Sequence, residues 1–206
     1  MNLRVILADD HPFVRLGVRC ALGADGIDVV GEASSPGELL ALLGAMPCDV
    51  VVTSLAMLDG AGDGPECRGF VERLRSGWPS LPVVVLTVET EASLLSAALS
   101  TGIAGMLRKS DVAGALTTVV RDACRGCVSV SAQILCDLET AGVSVRQLCL
   151  LGHGAFRQTI HDCVVVTRCP DDETGASTRL AHDVLADADA ASGSPVSSFA
   201  ERRRVR

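Results

Sequence analysis

Five side chains with chemical capacity stand at the ends of apolar runs in this 206-residue chain. Asp9 and Asp10 follow "LRVILA" (Leu3–Ala8), Ser54 closes "DVVVTS", Thr87 closes "LPVVVLT", and Lys109, the one lysine of the chain, closes "IAGMLRK". Together they amount to two carboxylates, two hydroxyls and one ammonium. A serine hydroxyl is a weak nucleophile until a neighbouring base takes its proton, so the worth of Ser54 depends on what the fold sets beside it.

The elements that would position these residues alternate between two periods. Leu3–Ala8, Asp28–Ala33, Asp49–Ser54, Leu81–Thr87 and Ile103–Lys109 are short apolar runs of the kind shown by strands buried on both faces. Between and after them, Phe13–Leu22, Pro36–Met46, Glu66–Ser76, Ala92–Ser100 and Val112–Cys124 carry apolar residues at helical spacing. Pro12 occupies a first helical position. Five strands alternating with five helices predict a parallel, doubly wound α/β sheet with helices on both faces. In such sheets sites gather outside the carboxyl ends of the strands, which is where Asp9, Asp10, Ser54, Thr87 and Lys109 fall.

Composition narrows the class. The chain has room for one domain of about 100–150 residues and a smaller second one. Hydrophobic residues make up 48% and aromatics only 2%, so the core must be aliphatic. Asp9, Asp10 and His11 interrupt the first apolar run, which argues against a secretion signal. No run approaches the roughly 20 apolar residues that span a bilayer, and a cytoplasmic location without membrane contact is expected. Nine cysteines, an odd number, read as reduced, buried hydrophobes. The formal charge of −7 resides in the first part: residues 1–140 hold ten Lys/Arg against seventeen Asp/Glu, and residues 141–206 hold eight of each.

Residues 1–126 resemble the receiver domain of bacterial two-component response regulators. "ILADDHP", the Asp63-Gly64 pair, "WPSLPVVVLT" and "GIAGMLRK" carry the likeness, and the wording through "LLSAALSTGIAGMLRK" is most similar to the Rcs type within the NarL/FixJ (LuxR-type) group. The resemblance implies a flavodoxin/CheY-like five-stranded fold and a non-enzymatic signalling role in transcriptional regulation. It implies that Asp9 and Asp10 hold Mg²⁺, a hard cation wanting octahedral oxygen ligands. It further implies that Thr87 and Lys109 contact a phosphoryl group, and that the aspartate accepting phosphate from a histidine kinase falls at Ser54.

Ser54 departs from that pattern. A hydroxyl brings no charge to Mg²⁺, so metal binding is weakened by the loss of the third carboxylate. Asp59 and Asp63, on the following loop, are poor substitutes because a flexible loop does not fix in-line geometry. What remains is a cleft of two acids and one ammonium. An Asp10–Lys109 pair at about 4 Å is worth on the order of 4 kcal/mol at an effective dielectric near 20, enough to hold the cleft in one state without phosphate. The reading is an atypical receiver acting through pairing, as a homodimer or a heterodimer with a related regulator. The alternative is a receiver-only interaction module, partner or decoy, without DNA binding. A structural ion-pair cluster at Asp9, Asp10 and Lys109 also stands as a reading.

Residues 127–142 are expected to be a linker with a short helix. Residues 143–168 resemble the first half of the group's helix-turn-helix through "VSVRQ" and "QLCLLGHGAFRQTI", but "RCPDDETGAST" replaces the recognition helix, and Pro170 and three acids suit neither a helix interior nor a phosphate-facing surface. DNA binding by this chain is therefore doubtful. Residues 169–206 have the composition of a disordered tail. Cys124-x-x-Cys127 with Cys136 invites a zinc reading but has no second pair of matching spacing. Adjacency of His161, Asp162 and Cys163 does not make a catalytic Cys–His site.

Overall fold

The structure, a computed structural model, describes residues 2–58, 66–143, 158–161 and 163–167. Its first part follows the predicted alternation: β1 (Arg4–Ala8), α1 (Pro12–Ala24), β2 (Asp28–Ala33), α2 (Pro36–Ala45), β3 (Val50–Ser54) and a single turn α3 (Leu55–Leu58). Then come α4 (Glu66–Gly77), β4 (Val83–Thr87), α5 (Ala92–Ser100), β5 (Gly105–Arg108), a 3-10 turn at Lys109–Asp111 and α6 (Val112–Cys124). Local chemistry accounts for the boundaries. Pro12 opens α1. At α2 the Ser35 side chain accepts the Glu38 N–H while Glu38 reaches back to the Ser34 N–H and hydroxyl, closing the helix start reciprocally.

Strands β2, β1, β3, β4 and β5 lie side by side in that order, all parallel. β3 and β4 are buried along their whole length, whereas edge strand β2 alternates between covered and open positions. Alternation sends successive strand residues to opposite faces. One face (Val5, Leu7, Val50, Val52, Val84, Leu86, Leu107) packs on Val18 and Leu22 of α1 and on Leu116, Val119 and Val120 of α6. The other (Ile6, Val51, Val83, Val85, Met106) packs on Leu39 and Leu43 of α2, Phe70 and Leu74 of α4, and Leu95 and Leu99 of α5.

The segment expected to be a linker departs from expectation. Cys127–Ser131 forms β6, a sixth parallel strand paired with β5 through Gly105–Ser129 and Met106–Val130. Ala132–Thr140 forms α7, whose Ile134, Leu135 and Leu138 join the core on the α2/α4/α5 face. The sheet therefore has six parallel strands rather than five. The cause is local: Gly126, in the left-handed conformation at φ 79°, ends α6 and turns the chain straight back along β5. Gly105 completes the fit, because a Cβ there would lie 2.7 Å from Val119 Cγ1 and 3.2 Å from the Ser129 carbonyl oxygen.

Within the helix-turn-helix-like segment, residues 158–161 and 163–167 form strands instead: β7 (Gln158–His161) and β8 (Cys163–Thr167), antiparallel to each other, with β8 antiparallel to β6. Three consecutive valines followed by Thr167 favour extended backbone over helix. The other residues of that segment, Asp59 and Asp63, and the tail at 169–206 lie outside the described residues. All described residues belong to one compact unit within Met1–Asp171.

Replacing Gly105 by Ala should overpack the β5–α6–β6 junction and lower the free energy of unfolding by about 1–3 kcal/mol, read as a lower urea midpoint at unchanged slope.

Candidate functional site

The carboxyl ends of four adjacent strands meet at one edge of the sheet. Ala8 pairs with Thr53, Ser54 with Leu86, and Thr87 with Arg108, so Asp9, Ser54, Thr87 and Lys109 stand in a row at the close of β1, β3, β4 and β5. The two acids at the head of that row differ. Asp9 is fully buried: its Oδ1 accepts the His11 backbone N–H at 2.9 Å and its Oδ2 lies 2.7 Å from the Lys109 Nζ. Among the described residues no other donor reaches Oδ2. Asp10 is exposed, and its Oδ1 lies 2.8 Å from the exposed His11 Nδ1. Slight burial works to raise the Asp10 carboxyl but is outweighed by hydrogen bonds from the His11 ring and Asp10's own backbone, leaving it below the ordinary range.

The partner of Lys109 is therefore Asp9, not Asp10 as expected. Strand parity explains the exchange. Asp9 continues the face of Leu7 and Lys109 that of Leu107, and both belong to the α1/α6 side of the sheet. Asp10 lies one residue further on, where the chain has left the strand.

Ser54 is buried, with its Oγ accepting the Met57 N–H at 3.2 Å. That is the bond of a residue capping the turn α3. Among the described residues no carboxylate or imidazole is hydrogen-bonded to the hydroxyl, so nothing there is arranged to take its proton. Thr87 is also buried, and its Oγ1 accepts the Glu89 N–H at 2.8 Å.

The ligand atoms of Asp9, Asp10 and His11 lie within 4.8 Å of one another. The set fits Mg²⁺ poorly. One Asp9 oxygen already faces an ammonium and the other an N–H, the near oxygen of Asp10 faces an imidazole, and Ser54 adds a neutral oxygen engaged with Met57. A hard octahedral ion wants several free anionic or carbonyl oxygens. Of the cysteines of the zinc reading, Cys124 and Cys136 are exposed and Cys127 is half-buried, and the three form no comparable cluster among the described residues.

Sequence reasoning overlooked Arg108, which is buried although it is charged. Its guanidinium meets the Glu89 carbonyl oxygen and the Asp137 carboxylate. The available signal was a cation inside an otherwise apolar strand, "GMLRK".

A parallel, doubly wound sheet with a buried acid paired to a lysine at its carboxyl edge is the arrangement of a receiver-type fold. Residues 5–121 match the response regulator receiver domain, and the chain belongs to that family. It is 36% identical over 110 residues to the transcriptional regulatory protein RcsB of Escherichia coli K12, a match covering 52% of this chain and 50% of RcsB. It is also 36% identical over 121 residues to the DNA-binding transcriptional activator DevR/DosR of Mycobacterium tuberculosis, covering 58% of this chain and 54% of that protein. The chain thus spans about half the length of the curated relatives it matches. Among solved structures it resembles the isolated receiver domain of RcsB from Salmonella enterica serovar Typhimurium with the phosphomimetic BeF₃⁻ (TM-score 0.56, 31% identity, 67% of this chain and 99% of that one). It also resembles RcsB dimers bound to DNA (TM-score 0.60, 30% identity, 68% of each chain). No helix among the described residues is long and apolar enough to cross a membrane.

Removing one partner of a buried pair strands the other charge. Lys109→Met should therefore cost about 3–5 kcal/mol in urea unfolding, while Asp10→Ala should stay within roughly 0.5 kcal/mol. Equal losses would mean that Asp9 is not the partner.

Proposed function

We propose that this chain is a response regulator acting in transcriptional regulation, with a receiver that works through protein pairing rather than by accepting phosphate at the usual position. The observation carrying this reading is Ser54: it ends β3 where the family's acceptor falls, it is buried, and its hydroxyl is bound to Met57, with no base hydrogen-bonded to it among the described residues. A carboxylate would be ionised at neutral pH and ready to attack; this hydroxyl is neither charged nor activated. Asp9 and Lys109 meanwhile neutralise each other at 2.7 Å, which holds the cleft in one arrangement without a phosphoryl group. Thr87 and Lys109 remain at the family's phosphoryl-contact positions, while Asp9 and Asp10, already engaged by Lys109 and His11 and without a third carboxylate, would hold Mg²⁺ only weakly. The partner is a second copy or a related regulator, in keeping with RcsB, which is seen as dimers on DNA.

Incubation with Mg²⁺ and acetyl phosphate or beryllofluoride should give no mass gain and no change of oligomeric state by light scattering. Ser54→Asp should restore a measurable response. A phosphorylated wild-type protein would overturn the reading.

A second reading, a receiver-only module without DNA binding, is favoured by one observation: strands β7 and β8 occupy described residues where helices of a DNA-binding domain were expected. Binding to duplex DNA against salt separates the two. Phosphate contacts lower log K with log[salt] at a slope of about −0.9 per contact; a DNA-binding regulator shows such a slope, and the module shows no binding at low salt.

A further inference from the structure

Arg108 and Lys109 are neighbours with opposite destinations. β5 sends Leu107 to the α1/α6 face and Met106 to the α2/α4/α5 face. Arg108 keeps the parity of Met106 and so points away from the cleft that Lys109 enters. On that side its buried guanidinium bridges two segments. Nη1 donates to the Glu89 carbonyl oxygen in the β4–α5 loop, and Nη2 donates to Asp137 Oδ2 on α7. Each end is itself anchored. The Glu89 N–H donates to Thr87 Oγ1 at 2.8 Å, and the second Asp137 oxygen accepts from Gln133 Nε2 at 3.2 Å.

The result is one unbroken line of polar contacts, Thr87 to Glu89 to Arg108 to Asp137, running from the site edge to a helix beyond the family-matched residues 5–121. Beneath it, Leu95 and Leu99 of α5 share a core with Ile134, Leu135 and Leu138 of α7. A buried guanidinium needs its acceptors, because a charge left without partners in a dry environment is strongly unfavourable. Loss of contact at one end therefore forces rearrangement at the other. Two segments that share one buried cation do not move independently, and coupling of that kind is reciprocal.

We propose that α7 controls the Thr87–Glu91 loop through Arg108. With α7 seated, Asp137 holds the guanidinium, the guanidinium holds the Glu89 carbonyl, and the loop presenting Thr87 is fixed. Displacement of α7 by anything that engages it releases the loop. The switch position is thus reached from the C-terminal side of the receiver without any chemistry at Ser54, and the inference does not depend on whether Ser54 accepts phosphate.

Hydrogen exchange on the full chain, with no phosphodonor present, tests this. Asp137→Asn, which removes the charge at a partly exposed position but keeps an acceptor oxygen, should speed exchange in peptides covering residues 87–92 as well as in α7, by on the order of tenfold within the range of ordinary coupling. Reciprocally, Thr87→Val should speed exchange in residues 132–140. In Arg108→Met the effect of Thr87→Val on α7 should vanish. The proposal is overturned if Asp137→Asn changes α7 alone, or if Thr87→Val changes its own loop alone. Those two variants are decisive even where Arg108→Met does not fold.

Discussion

A fully buried carboxylate is tolerable only with a cation against it, and the chain contains a single lysine to supply an ammonium. The Asp9–Lys109 contact thus fixes how the ends of β1 and β5 stand relative to one another across β3 and β4. The two parallel strands between them are buried throughout, so their register cannot slip without moving a set of valines from one core to the other. The ion pair and the aliphatic sheet enforce the same arrangement, one through charge and the other through packing.

Much of the fold was legible because apolar runs and helical periodicity are strong signals in a chain so poor in aromatics. The first five strands and their helices lie within a residue or two of their predicted limits. β6 was not legible: "CVSVS" is short, holds only two register pairs with β5, and looks like a linker until the turn at Gly126 folds it back. The strands at 158–161 and 163–167 were overlooked because likeness to a helical motif outweighed the extended preference of consecutive valines.

The site was legible as a set of positions, not as a set of contacts. Position along a strand predicts which residues reach the edge, and Asp9, Ser54, Thr87 and Lys109 do share it. Pairing depends on parity and burial, which is why Lys109 meets Asp9 while Asp10 turns to His11. Arg108 was invisible for a related reason. A lone arginine in a strand becomes meaningful only when a helix expected to be linker supplies its carboxylate.

The hydrogen bond from Met57 to Ser54 has a consequence for how this position changes over time. Serine and aspartate are near-equal helix caps, so either residue can hold the first turn after β3. The cap is thus satisfied by either residue, but the surroundings are not indifferent: position 54 is buried, and a carboxylate there would compete with Asp9 for the one lysine. The turn tolerates the exchange, while the charge balance of the cleft decides which residue it can hold.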